Sequence, residues 1–263
     1  MRTDNESLAC GCDGCCSPSQ PCRPVFPYRK WHRHHSPSPA PVIEAEDLAL
    51  RYPGAAETVV SGVSFALAQG ECAGLIGPNG AGKSSLLKGL AGILKIEHGR
   101  FLVHGRTPEL CRHSVAYLAQ RSRVDWHFPI TVHDAVLAGR YCHLGWVARP
   151  KAADHEIAKH SLDRVGLAHL AHGSVGTLSG GQLQRMLLAR ALAQEAELFL
   201  LDEPFNALDA DSKIGLIEVI HSLKSEGRAF LIATHDCLGE HLCLDKIFSL
   251  GSGGVFSSGK VAS

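Results

Sequence analysis

Gly77-Pro78-Asn79-Gly80-Ala81-Gly82-Lys83-Ser84 decides how this chain is read. The octapeptide fits G-x-x-x-x-G-K-[S/T] at every position. It follows a short apolar run, Glu71 to Gly77, that reads as a strand, and it precedes a helical pattern over Lys83 to Leu94. That order is what phosphate binding requires. Glycines let the backbone wrap closely around an anion with its N–H groups pointing inward. The helix behind them aims its positive dipole end at the same charge. Lys83 can reach outer phosphates, and the Ser84 hydroxyl can bind Mg²⁺.

Working outward, Leu198-Phe199-Leu200-Leu201 is a fully apolar strand that runs into Asp202 and Glu203. Such a strand delivers both acids to the carboxyl edge of a sheet, where open α/β folds bind ligands. By themselves they could be a solvent-side cap. Beside a phosphate loop, Asp202 suits Mg²⁺ and Glu203 suits a general base acting on water. A third segment, Leu178-Ser179-Gly180-Gly181-Gln182, opens a helix running to Ala193. On physics alone it is either a second anion site at a helix N-terminus or an ordinary serine N-cap with glycines.

The remaining pattern alternates. Strands are expected over Ile43 to Tyr52, Thr58 to Ala68, Gly99 to His104, Ser114 to Ala119 and Ala229 to Ala233. Two more flank a glycine-rich turn between Lys246 and Val261. Helical patterning dominates Thr131 to Leu170, broken at Pro150, and returns over Asp211 to Lys224. Alternation of this kind implies a mainly parallel sheet covered on both faces. The helix-rich interval of about 121–185 reads as an inserted lobe.

Composition bounds the function. A chain of 263 residues suffices for one large domain with an insertion. Lys plus Arg number 26, as do Asp plus Glu, so no basic excess favours broad contact with nucleic acid. No apolar run is long enough to cross a bilayer, and the N-terminus has no signal-type apolar stretch. The expectation is a cytoplasmic chain that reaches a membrane only through a partner. Of ten cysteines, Cys72, Cys111, Cys142, Cys237 and Cys243 are scattered and read as reduced, buried small residues.

Leu178 to Gln182 resembles the signature of the ABC ATPases, and other elements of that family occur in order over roughly 42–260. The resemblance implies an α/β fold: a P-loop NTPase core with an antiparallel β subdomain and an inserted helical lobe, spanning 42–263. It implies a homodimer holding two ATP with Mg²⁺, each ATP between one chain's phosphate loop and the other chain's Ser179, Gly180, Gly181 and Gln182. Gly77, Pro78, Asn79, Gly80, Ala81, Gly82, Lys83, Ser84 and Ser85 would hold the phosphates, and Tyr52 matches the aromatic that stacks on adenine. Gln120 matches the glutamine that senses the γ-phosphate and meets the transport partner. With Ser84 and Asp202 it completes the Mg²⁺ side. Glu203 is then the base and His235 the switch histidine. Ala207-Leu208-Asp209 resembles the loop that crosses the dimer interface, with Asn206 and Ala207 where Ala-Gly is common.

A narrower resemblance runs from Arg121 through Trp126, His127 and Phe128 to Val132, and on through Gly139-Arg140-Tyr141 and His143-Leu144-Gly145-Trp146. It is similar to ATPase subunits of manganese, zinc and iron importers, at the segment where they dock the cytoplasmic helices of a membrane permease. Trp126, Phe128 and Trp146 would be anchors for such a helix or fill the lobe's own core. His127 stands where an acidic or polar residue is more usual. The implied function is the ATPase subunit of a divalent-metal importer at the cytoplasmic face of the membrane, with a two-copy permease and, indirectly, an extracytoplasmic metal-binding protein. Import of an iron chelate or haem, a soluble ABC ATPase of DNA repair or translation, and a metal-sensing regulator are the alternatives. The single nucleotide domain and absence of a long coiled-coil insertion weigh against the soluble type.

Residues 1–41 read as a mobile tail, broken by seven prolines from Pro18 to Pro41. Cys10, Cys12, Cys15 and Cys16 place four thiols in seven residues, with Cys22, His32, His34 and His35 following. Thiolate and imidazole suit zinc or copper(I), although the crowding fits a loose site better than a structural one. The other reading is an unstructured extension without a metal.

Overall fold

The structure, a computed structural model, describes residues 41–107, 112–119, 129–144, 148–206, 208–234, 242, 244–251 and 256–260. Among the described residues, β1 (Ile43–Leu50), β2 (Val60–Leu67) and β4 (Ile96–Val103) form an antiparallel sheet in the order β2-β1-β4. A second sheet has the order β5-β6-β7-β3-β8-β9. Its strands are β3 (Cys72–Ile76), β5 (Val115–Leu118), β6 (Leu198–Asp202), β7 (Ala229–Ala233), β8 (Lys246–Leu250) and β9 (Phe256–Lys260). All pair in parallel except β9, which closes the edge antiparallel to β8.

The parallel strands are short and apolar because both faces are covered. Every residue of β6 and of β7 is buried. Alternate side chains go to opposite faces, and two core clusters result. Leu198, Leu200 and Leu231 join Leu50, Leu75, Leu86, Leu87 and Leu90 beneath the antiparallel sheet and α1 (Lys83–Leu90). Phe199, Leu201, Phe230 and Ile232 face Met186, Leu188, Leu216 and Ile220 from α5 (Gly180–Ala193) and α6 (Ala210–Ser225). The Phe199 and Phe230 rings stack at 4.9 Å between adjacent strands. A fully buried Leu or Phe contributes about 1.5–3 kcal/mol, so each cluster is a substantial part of the fold's stability.

The interval expected to form a lobe contains α2 (Val132–Leu137), α3 (Tyr141–Leu144) and α4 (Ala152–Arg164), and it runs into α5. Thr131 starts α2 by accepting the Asp134 N–H on its hydroxyl. Helices α2 and α4 touch one another and α5. A buried ion pair ties this group to the sheet side. Arg140 donates through Nε to Asp154 Oδ1 at 3.0 Å, and through Nη1 to the Ala193 carbonyl at 2.8 Å and Glu195 Oε2 at 3.0 Å.

Some boundaries differ from the sequence reading. The helix expected over Lys83 to Leu94 ends at Leu90. The Ile93 N–H bonds the Lys88 carbonyl and the Gly92 N–H bonds the Gly89 carbonyl, a Schellman turn that stops the helix despite apolar Ile93 and Leu94 beyond it. The strand expected from Gly99 begins at Ile96, because β1 offers pairing partners as far as Leu50. The tail, apart from its last residue, and residues 120–128 and 145–147 lie outside the described residues. No described helix is long and apolar enough to cross a membrane.

Candidate nucleotide site

The glycine loop connects β3 to α1 at the carboxyl end of the parallel sheet. Gly82 caps the helix with φ of +98°, and a Cβ there would lie 2.6 Å from Val60 Cγ2. Both facts restrict the position to glycine. Behind it, the first N–H groups of α1 have no partner inside the helix and face the loop. Lys83 is only 6% exposed, and Nζ donates to the carbonyls of Gly77 at 2.7 Å and Pro78 at 3.1 Å. Both acceptors are neutral carbonyls, so no carboxylate among these contacts competes with an anion for Nζ. A concave glycine cradle, a helix N-terminus and a buried cation together fit the phosphates of a nucleotide.

The residues expected on the Mg²⁺ side meet across the sheet. Ser84 donates its hydroxyl to Asp202 Oδ1 at 2.9 Å, although 118 residues separate them. Asp202 is 4% exposed at the end of β6. Burial raises its carboxyl above the usual range, and the Glu203 charge adds to that. The hydroxyls of Ser84 and Tyr117 work in the other direction. Tyr117 on β5 donates to the other oxygen, Oδ2, at 3.1 Å. Burial first, and then the charge of Asp202, push the Tyr117 phenol well above its ordinary value, so it remains a donor. Serine and aspartate oxygens are the hard donors that Mg²⁺ takes.

Glu203 leaves the strand in the left-handed region, with φ of +50°, and its N–H donates to the Ala233 carbonyl at 2.9 Å. That conformation is uncommon for a residue with a side chain. It turns the glutamate out of the β6 direction immediately beyond Asp202. Asn206 then donates through Nδ2 to Glu203 Oε2. The end of β7 lies alongside, where buried Thr234 donates its N–H to the Leu75 carbonyl at 3.1 Å.

Tyr52 is partly exposed, and its hydroxyl lies 3.1 Å from Ser85 Oγ. It edges an open cavity of about 610 Å³ lined also by Arg51, Pro53, Lys95 and Glu97. The aromatic position thus touches Ser85, the residue after Ser84, and opens onto this cavity.

Ser179 begins α5 as its N-cap, with a capping box. Its N–H donates to Gln182 Oε1 at 2.9 Å, and Gln182 N–H donates to Ser179 Oγ at 3.3 Å. The ordinary-cap reading of this serine is therefore present in the geometry. Gly181 has a separate reason to be glycine: a Cβ would lie 2.4 Å from Ser212 Oγ. Ser212 is itself held by Asp209, the N-cap of α6, which accepts from its N–H and hydroxyl at 2.9 Å each. These bonds lower the exposed Asp209 carboxyl below its ordinary value, the Ser212 N–H contributing most.

Ser84, Ser85, Lys83, Asp202 and Tyr52 are thus brought together by contact, and Glu203 follows Asp202. Ser179 to Gln182 stand apart in one respect: they open a helix of the cluster on the other face of the sheet from α1. Gln120, His235, Ala207, Trp126, Phe128, Trp146, Cys10, Cys12, Cys15 and Cys16 lie outside the described residues. Sequence reasoning missed Tyr117 and the Asn206–Glu203 bond. A tyrosine among the alternating residues of a half-buried strand, three places before Gln120, was the available signal for the first.

A Walker-type loop on a parallel sheet, with an acid-tipped neighbouring strand, defines a nucleotide-binding P-loop ATPase. Residues 60–206 match the family described as ABC transporter. The chain is 41% identical over 194 residues to the zinc transport system ATP-binding protein TroB of Treponema pallidum, covering 74% of this chain and 72% of that protein. It is 39% identical over 194 residues to the manganese transport system ATP-binding protein MntB of Listeria monocytogenes, covering 74% and 80%. An inward-facing ABC transporter described as of the metal-chelate type superposes with a TM-score of 0.73 at 31% identity, covering 84% of this chain and 83% of that one. The ADP conformation of an ATP-binding cassette gives 0.72 at 25% identity, covering 84% and 91%. The chain belongs to the ABC transporter family, as an ATP-binding subunit that couples ATP hydrolysis to transport.

Proposed function

We propose that this chain drives import of a divalent transition metal, manganese, zinc or iron, by hydrolysing ATP beneath a membrane permease. One observation carries the catalytic part: the Ser84–Asp202 hydrogen bond sets the glycine loop and the acid-tipped strand against each other, with Glu203 next in line. The similar zinc and manganese subunits support the cargo.

Residues 77–82 and the start of α1 would wrap the phosphates, and Lys83 would turn its ammonium from the Gly77 and Pro78 carbonyls toward the outer ones. Ser84 and Asp202 would hold Mg²⁺, with Gln120 as the third residue. When bound, the ion neutralises charge on the outer phosphates. Tyr52 would carry the base. Glu203 would take a proton from the attacking water as its oxygen bonds to the γ-phosphorus, and the bridging oxygen leaves with ADP. His235 would act as the switch residue.

The signature residues Ser179, Gly180, Gly181 and Gln182 would serve the ATP of a second copy of the chain. Their placement on a helix of the opposite core cluster from α1 supports that division of labour. The metal cargo would pass through the permease and its extracytoplasmic binding protein without touching this chain. A second cargo, an iron chelate, is favoured by the likeness to the metal-chelate type transporter. ATPase activity reconstituted with the permease, and stimulated by manganese, zinc or a chelate in turn, separates these cargoes.

Glu203→Gln tests the catalytic reading. Hydrolysis should slow by about two to four orders of magnitude, the usual contribution of a positioned base, while ATP binding persists. Sizing chromatography with Mg-ATP should then show a stable dimer. Hydrolysis near the wild-type rate would sink the assignment.

A further inference from the structure

We propose that Tyr117 is a positioning residue for Asp202, fixing the carboxylate rotation that presents Oδ1 to Ser84 and so to Mg²⁺ bound with ATP. This rests on the reading of Asp202 as a Mg²⁺-side acid.

The two oxygens of Asp202 have different partners. Oδ1 accepts from Ser84 at 2.9 Å, and Oδ2 accepts from Tyr117 at 3.1 Å. A carboxylate on its terminal torsion has a broad, two-fold preference, so nothing intrinsic keeps one oxygen toward the loop. Asp202 is 4% exposed, which leaves little room for solvent to orient it. The orientation must come from protein donors.

Tyr117 is built to supply one. It pairs with Leu200 in the parallel register of β5 and β6, and Leu200 and Asp202 are alternate residues of β6. Alternate strand residues share a face, and Tyr117 therefore lies on Asp202's side of the sheet. Its neighbours Ala116 and Leu118 are buried on the other side, which fixes the strand beneath it. The Tyr117 ring is partly buried against the cluster that also holds α1, the helix carrying Ser84. The ring's packing and the hydroxyl's hydrogen bond are thus separable, and phenylalanine removes only the second.

The test is calorimetric binding of a non-hydrolysable ATP analogue to the full chain, with and without Mg²⁺. Wild type, Tyr117→Phe and Asp202→Asn are compared. Loss of a partner outside the metal's own ligands typically weakens metal affinity about 10- to 100-fold. Tyr117→Phe should accordingly keep its metal-free affinity and lose about tenfold of the gain that Mg²⁺ brings, with its melting temperature lowered by several degrees for the one lost hydrogen bond. Asp202→Asn should lose more of that gain. An unchanged Mg²⁺ gain in Tyr117→Phe, with a loss in Asp202→Asn, would overturn the positioning role alone. An unchanged gain in both would overturn the reading of Asp202 itself. Equal weakening with and without the metal would assign Tyr117 to packing and also overturn the proposal.

Discussion

Lys83, Glu203 and Asn206 show how single residues are prepared in advance. Glu203 occupies a left-handed conformation that glutamate seldom adopts, and Asn206 ties its carboxylate from three residues on. A hydrogen bond to a charged group is worth about 1.5–3 kcal/mol when both partners are held. Asn206→Ala should therefore lower kcat about tenfold with little change in KM for ATP, read in a steady-state ATPase assay. Gly82→Ala acts differently. It places a Cβ against Val60 in a backbone conformation that costs about 1–3 kcal/mol for a residue other than glycine. Thermal unfolding should show that loss, and nucleotide binding should fall with it. The loop and the two acids were legible in the sequence because each lies in one short stretch with a physical order. The Tyr117–Asp202 bond was not, since its partners are 85 residues apart and a tyrosine on a strand reads equally well as packing.

At the scale of elements, the start of α5 is locked to the start of α6. Gly181 admits Ser212, and Ser212 is held by the cap of its own helix, Asp209. Gly181→Ala should force the two helix starts apart and reduce ATP hydrolysis, while binding of nucleotide to the phosphate loop persists. Ser212→Gly in the same chain removes both close atoms and should restore part of the activity. Absence of any rescue in that double variant would separate the glycine's role from Ser212. Element types followed from apolar period and caps, and the segment Leu178 to Gln182 was expected to open the helix that begins at Gly180. The end of α1 was not, because Ile93 and Leu94 continue an apolar pattern while backbone hydrogen bonds to Lys88 and Gly89 close the helix. Periodicity sees side chains, and a Schellman turn is made by the main chain.

Across the whole molecule, the buried Arg140 network joins the segment after α2 to the start of α4 and the end of α5. Asp154 accepts from the Lys151 N–H and from Arg140, and Arg140 reaches the Ala193 carbonyl. Burial pushes the Asp154 carboxyl upward, but the Lys151 N–H and Arg140 outweigh it and hold it below its ordinary value. A carboxyl depressed on folding adds stability above its unfolded pKa of about 3.9, and that contribution disappears as pH falls through the lower folded value. Asp154→Asn should be less stable at pH 7 and show a shallower loss of stability below about pH 4. Arg140→Ala should cost about 3–5 kcal/mol by leaving a buried carboxylate unpaired, measured by urea unfolding. No sequence pattern announced this network, because its members are neighbours only after three helices have packed. The strand order carries a consequence in time. β3, which feeds the phosphate loop, lies between β7 and β8, and Gly77 abuts the Leu250 carbonyl. At a synthesis rate of about 5–20 residues per second, β8 leaves the ribosome roughly ten to thirty seconds after β3. For most of that interval the nascent chain carries its complete glycine motif with both flanks of β3 bare, because β7 emerges only shortly before β8. A chain arrested after Ala233 should retain no ATP, and nucleotide capture becomes a late event in the life of each newly made molecule.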